Sequence, residues 1–224
     1  MNRCLAIMGR DPRSPGIKTR LCPPLLPAEA ATLYRAMLLD TVDLAASLDD
    51  VVAGVAYTPA VSSGRMRRLV RRPFFLTPQP EGNLGERLEA VAESLFGRGA
   101  GAVCLMNSDG PDLPREHLAE AFARLEGGDQ VVFGPNPDGG YYLVGLSGPA
   151  AIFDGIRWST GGVLRESLAA AGRLGLKCSI LPPWPDLDTP ADLRDALGRW
   201  GESAGPLRTA PLLRRLAVQR DIRG

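Results

Sequence analysis

The chain has 224 residues, 45% of them hydrophobic and 23% charged, with 26 Lys plus Arg against 25 Asp plus Glu and a formal net charge of +1. These values exclude a disordered polyampholyte, a disulfide-stapled miniprotein and a polytopic membrane protein. Near-neutral charge gives no global reason for nucleic-acid binding. The unusual quantity is 26 Gly and 20 Pro, about a fifth of the chain, where about 12% is ordinary.

In chain order, residues 4–8 are a continuous apolar run that reads as a central strand. This start continues into Arg10 and Asp11, so a strand is expected and not a signal peptide. A Gly/Pro loop fills 10–24, and a helical apolar face recurs over 27–48. Strands are predicted at 51–57, 74–77, 102–106, 130–133, 141–146 and 178–181. Helices are predicted at 84–96, 115–125, 162–174 and 190–200. The adjacent strands around Gly139-Gly140 suggest an antiparallel or mixed edge.

The alternation predicts an α/β domain with a mostly parallel sheet, whose ligands bind beyond the C-terminal strand ends. The Gly and Pro residues cluster at those exits, which favours a specified site over disorder. A single domain over 1–200 and a basic tail over 201–224 are expected. Arginines at 208, 214, 215, 220 and 223 and leucines at 207, 212, 213 and 216 mark the tail. A short helix there packs on the body or on a partner, which leaves a homodimer open. Arginines at 65, 67, 68, 71 and 72 read as a solvated helix face, with polyanion contact the sharper alternative.

Cys4, Cys22, Cys104 and Cys178 lack metal-ligand spacing, and three sit in apolar runs as small buried hydrophobes. No nucleophile elbow accompanies the single histidine, His117, which reads as neutral and either solvent-facing or helix-terminal. A reducing, cytoplasmic setting without integral membrane association is expected.

The loop Gly9-Arg10-Asp11-Pro12-Arg13-Ser14-Pro15-Gly16-Ile17-Lys18-Thr19-Arg20 has neither P-loop nor GxGxxG spacing. Its glycines, Lys18, Thr19 and Arg20 nevertheless offer donors for a diphosphate, against the alternative of a basic surface loop. Asp109, at a strand exit between turn-forming residues, suits Mg2+ or Mn2+ or closes an Asx turn. Asp112 reads as the cap of the next helix. Asp138 with Gly139-Gly140 reads as a hairpin turn, a substrate-orienting carboxylate or a base. In the cluster Asp186, Asp188 and Thr189, Asp188 is either a helix cap or a second metal carboxylate.

Together the blocks Pro15-Gly16-x-Lys18-Thr19-Arg20-Leu21, Gln79 with Gly82, Leu84, Gly85, Glu86 and Arg87, Ser108-Asp109-x-Pro111-x-Leu113-Pro114, Gly134-Pro135-x-x-Asp138-Gly139-Gly140-Tyr141-Tyr142, Trp158-Ser159-Thr160 and Asp186-x-Asp188-Thr189-Pro190 resemble the bacterial DUF2064 glycosyltransferase-type proteins. That family is similar to phospholactate and molybdenum cofactor guanylyltransferases. The resemblance covers residues 4 to about 200 and implies a single-domain GT-A (Rossmann-like) α/β/α sandwich with a mostly parallel mixed sheet.

It also implies a Mg2+- or Mn2+-dependent transferase that takes a nucleotide sugar, or alternatively an NTP, together with a small-molecule acceptor. A non-catalytic nucleotide-binding scaffold is the third alternative. By the same resemblance, Asp109 and Asp188 would hold the metal. Gly9, Arg10, Gly16, Lys18, Thr19, Arg20, Gln79, Asn83, Leu84, Gly139 and Gly140 would line the nucleotide site. Asp138, Lys18 and Arg20 are the catalytic candidates. Arg10, Asn107 and Gly110 depart from the family pattern, and no true DxD metal signature is recognised.

Overall fold

The computed structural model describes residues 2–222, so Met1, Arg223 and Gly224 lie outside the described residues. The elements are β1 (Arg3–Arg10), α1 (Pro27–Ala46), β2 (Val51–Thr58), α2 (Ser63–Leu69), β3 (Phe75–Pro78), α3 (Leu84–Gly97), β4 (Ala102–Met106), α4 (Arg115–Glu126), β5 (Val131–Pro135), β6 (Tyr141–Leu146), α5 (Val163–Arg173), β7 (Cys178–Ile180), α6 (Pro190–Trp200) and α7 (Thr209–Gln219). They build one seven-stranded sheet in the order β3-β2-β1-β4-β6-β5-β7.

β6 runs antiparallel to both β4 and β5, while the other neighbouring pairs are parallel. The antiparallel element expected at an edge is therefore interior, because β7 adds outside β5 in parallel.

β1 is apolar from Cys4 to Met8 because both of its faces are covered there. Leu5 and Ile7 join a cluster with Leu38 and Val42 of α1 and Leu118 and Phe122 of α4. Cys4 and Ala6 point to the other face, among Leu88, Val91 and Leu95 of α3. A third cluster joins the outer side of α1 (Ala30, Leu33, Met37) to Leu193 of α6 and Leu213 and Leu216 of α7. Residues beyond 200 thus share a core with α1 and α6. Asp40 fixes the start of α7 by accepting from the Arg208 and Thr209 backbone N–H groups at 3.1 and 2.7 Å.

Local signals set the helix starts. Asn83 and Glu86 form a reciprocal capping box on α3, and Thr189 and Asp192 form another on α6 behind Pro190. Asp112 does not cap α4, whose N-cap is Pro114. Its carboxylate instead accepts from Trp184 Nε1 (3.1 Å), Trp200 Nε1 (2.7 Å) and Arg199 Nη2 (2.9 Å). All four cysteines are free, and burial pushes the Cys104 thiol upward. No helix among the described residues is long and apolar enough to cross a membrane.

Candidate functional site

Strand order reverses between β1 and β4, the place where α/β sheets leave a crevice at their C-terminal edge. A pocket of about 320 Å3 opens there. Of the residues expected at the site, Gly9, Arg10, Lys18, Thr19, Arg20, Gln79, Leu84, Asp109 and Asp188 line it. Gly16, Asn83, Asp138, Gly139 and Gly140 stand outside its wall. Asn83 caps α3. Asp138 Oδ1 accepts from Gly140 N at 3.0 Å, closing an Asx turn between β5 and β6. Gly139 has φ +90°, and an added Cβ would lie 2.1 Å from the Gly161 carbonyl oxygen.

The loop after β1 is braced from within. The Arg10 guanidinium donates to the Pro15 carbonyl at 2.9 Å, so it shapes the loop. Tyr34, buried on α1, donates through its hydroxyl or accepts from Ser108 Oγ at 2.9 Å, and accepts from Arg10 N at 2.8 Å. That phenol ties the exits of β1 and β4 together, and burial pushes it up to about 12. Asp11 is pinned by Arg65 of α2, which also donates to Ser62 Oγ at 2.7 Å. Burial alone would raise Asp11, but bonds from Ser62, Arg13 N and Arg65 outweigh it and hold the carboxyl low. Arg65, and Arg72 through its 2.6 Å bond to Asp43, are therefore the arginines of the 65–72 cluster ion-paired within the fold. On the far wall, Gln79 Nε2 donates to the carbonyls of Gly9 (3.1 Å) and Ala56 (2.7 Å).

The floor is acidic. Asp109, Asp186 and Asp188 each offer a carboxylate oxygen within 4.8 Å of the others. Lys18, left-handed at φ +48°, turns its side chain onto them. Its ammonium is 2.8 Å from Asp109 Oδ1, contacts Asp188 Oδ1, and donates to the Leu187 carbonyl at 3.0 Å. Burial would lower the Lys18 ammonium, but Asp109 and Asp188 outweigh it and hold it above the ordinary lysine value. Asp109 is pushed up by burial despite Lys18. Burial, with the neighbouring Asp109 charge, pushes Asp186 up to about 8.

Contrary to expectation, a DxD spacing is present. Asp186-Leu187-Asp188 has that spacing, and both carboxylates converge on Asp109. Asn107 and Asn136 donate to Asp186 Oδ2, whereas the buried Asp186 Oδ1 has no partner. A buried acceptor left unpaired beside two further carboxylates fits a cation, and an all-oxygen set fits Mg2+ or Mn2+. The lodged ammonium shows the same preference for positive charge. Asn107, a departure from the family pattern, thus orients Asp186 and also accepts from Asp109 N at 3.1 Å.

Sequence reasoning missed Asp186, Tyr34 and Ser108 as site residues. A tyrosine inside the apolar face of α1 was a usable signal, because a buried phenol needs a partner. Of the two alternatives for His117 the helix-terminal one holds: it sits in the first turn of α4 and is half-buried rather than solvent-facing. Its Nδ1 lies 2.9 Å from Tyr142 Oη and its ring meets Trp184 edge-on.

These features define a GT-A-like α/β fold of the nucleotide-diphospho-sugar transferase type, with its pocket at the switch point. The family described as "Uncharacterized protein conserved in bacteria (DUF2064)" matches residues 41–160, and the chain belongs to it. A solved structure of a candidate nucleotide-diphospho-sugar transferase from Desulfovibrio desulfuricans G20 is 30% identical, with a TM-score of 0.91, over 99% of this chain and 98% of that one. A cytidylyltransferase from Leptospira borgpetersenii serovar Hardjo-bovis is 12% identical, with a TM-score of 0.54, over 99% and 96% of the two chains. A 4-diphosphocytidyl-2C-methyl-D-erythritol synthase from Anaerococcus prevotii is 9% identical, with a TM-score of 0.56, over 90% and 100%. The last two share the fold alone. No curated protein matches the chain.

Proposed function

We propose that the chain is a divalent-metal-dependent transferase that moves a glycosyl group from a nucleotide sugar to a small-molecule acceptor. The observation that carries this reading is the triad Asp109, Asp186 and Asp188: Asp109 and Asp188 line the switch-point pocket, and the adjoining Asp186 keeps an unpaired buried oxygen. Bound Mg2+ or Mn2+ would supply charge neutralisation to a leaving diphosphate. Asp109, Asp186 and Asp188 would hold it, with Asn107 fixing the Asp186 carboxylate. Lys18 and the exposed Arg20 place positive charge at the pocket wall, where a diphosphate would gain it on departure. Gln79 and Leu84 stand at the opposite wall, where a base or ribose would lie.

The cation count favours a nucleoside diphosphate over a triphosphate. Arg10 is committed to its own loop and Arg65 to Asp11, which leaves Lys18 and Arg20 as pocket cations. The scaffold alternative loses its motive, because the metal carboxylates absent from the expected motif are supplied by Asp186 and Asp188. The 30% identical neighbour, described as a candidate nucleotide-diphospho-sugar transferase, supports the sugar reading.

Thermal unfolding against a panel of nucleotide sugars and NTPs, with and without Mn2+, tests the proposal. A nucleotide sugar with Mn2+ should raise Tm, Asp109→Asn should abolish the rise, and turnover should release a nucleoside diphosphate. Pyrophosphate release from an NTP would establish nucleotidyl transfer instead.

A further inference from the structure

The chain carries 24 arginines and only two lysines, Lys18 and Lys177. Where nearly every other cation is a planar guanidinium, the site uses a compact point charge on a flexible stem. The side chain of Lys18 is 8% exposed, and its three N–H donors are spent on Asp109, Asp188 and the Leu187 carbonyl. The carboxylate oxygens it holds belong to the triad that would receive a metal. A metal ion and the ammonium would compete for those carboxylates, because two cations held this close repel each other. A divalent ion entering alone therefore competes with a buried ammonium whose present partners are Asp109, Asp188 and the Leu187 carbonyl. Arg10, Thr19 and Arg20, its neighbours on the pocket wall, are donors. An entering diphosphate changes this, because its oxygens can receive the displaced ammonium.

We infer that Lys18 is an internal counter-ion that keeps the acidic site closed to a lone divalent cation and yields it only when a diphosphate is present. Metal and nucleotide binding are thereby made mutually dependent through one side chain. This inference rests on the metal and nucleotide reading above. It assigns Lys18 a positioning role between two ligands, with its left-handed backbone and the braced 10–18 loop keeping its stem beside both stations.

Two measurements on the full chain test it. Free Mn2+ is titrated by electron paramagnetic resonance against wild type and Lys18→Met, alone and with each of four nucleoside diphosphates, after correction for Mn2+ bound by the nucleotide itself. Wild type should take Mn2+ weakly alone and about tenfold or more tightly with the productive nucleotide, within the usual range of coupling between sites. Lys18→Met should take Mn2+ alone about tenfold more tightly than wild type, and the nucleotide enhancement should largely vanish. The second measurement uses no variant, so it survives a misfolded Lys18→Met. Lysine labelled with 15N at Nζ gives two ammonium signals in this chain, and the Lys18 signal should move only when Mg2+ and nucleotide are added together.

Equal Mn2+ affinity in wild type with and without nucleotide, or a Lys18 signal that moves fully with Mg2+ alone, would overturn the coupling and leave the metal site standing. Absence of Mn2+ binding in both proteins under every condition would overturn the metal reading itself, and the coupling with it.

Discussion

Asp112→Ala should loosen the floor of the site from behind. The Asp112 carboxylate is buried, at 9% side-chain exposure, and takes three donors: Trp184 Nε1, Trp200 Nε1 and Arg199 Nη2. It follows Asp109 by three residues, and Trp184 precedes Asp186 by two, so it staples the two acid-bearing segments together. Trp200 is 6% exposed, and its orphaned indole N–H should cost about 2 kcal/mol. The half-buried Trp184 should add about 1 kcal/mol. Arg199 is partly exposed and finds water, adding about 0.5 kcal/mol or less. The total of roughly 3 kcal/mol corresponds to a Tm fall of about 6–12 °C for a domain of this length. Scanning calorimetry on wild type, Asp112→Ala and Arg199→Ala measures it. The Mn2+- and nucleotide-dependent stabilisation should also shrink in Asp112→Ala. A Tm within about 2 °C of wild type, or an Arg199→Ala loss as large as that of Asp112→Ala, would refute the reasoning.

Gly139→Ala combines a positive φ with a Cβ forced to 2.1 Å from the Gly161 carbonyl, so urea unfolding should show a loss of about 2 kcal/mol or more. Gly155→Ala, at φ +71° in open space, should cost only about 1 kcal/mol, and equal losses at the two positions would contradict the steric part. His117 is held below its ordinary 6.5 by burial, against the pull of Glu120 and Glu116. The unfolded chain therefore takes up this proton first as pH falls, and stability present above about 6.5 is lost on acidification below it. As His117 is the chain's single histidine, the wild-type urea midpoint should fall relative to that of His117→Asn on acidification from about pH 7 to 5.5, the contribution of Asp186 being common to both proteins. Parallel profiles for the two proteins would rule the histidine out as the source.

Much of the scaffold was legible in local pattern. The apolar runs marked β1, β2 and β4, and Asn83 with Glu86 and Thr189-Pro190 marked two helix starts, because capping and strand burial are short-range effects. Lys18, Asp109 and Asp188 were legible too, since each sits in an exit loop whose Gly and Pro spacing has a local cause. Asp112 was misread for the same reason. A carboxylate just before a helix is an ordinary cap, and nothing nearby in sequence announces two tryptophans and an arginine more than 70 residues on. Asp186 escaped because its partners Asn107 and Asn136 come from other strand ends, brought together only by the insertion of β6 between β4 and β5.

The sequence by itself determined the α/β class, the strand exits that gather the candidate site and the acidic and basic groups available there. Tertiary structure alone decided which of those groups meet. It buried Lys18 between Asp109 and Asp188, spent Arg10 and Arg65 on the loop, and left Asp186 Oδ1 without a partner. The physical reason is range. Backbone preference and capping act within a few residues, whereas charge pairing and desolvation depend on distances that the tertiary fold sets between segments as much as 191 residues apart.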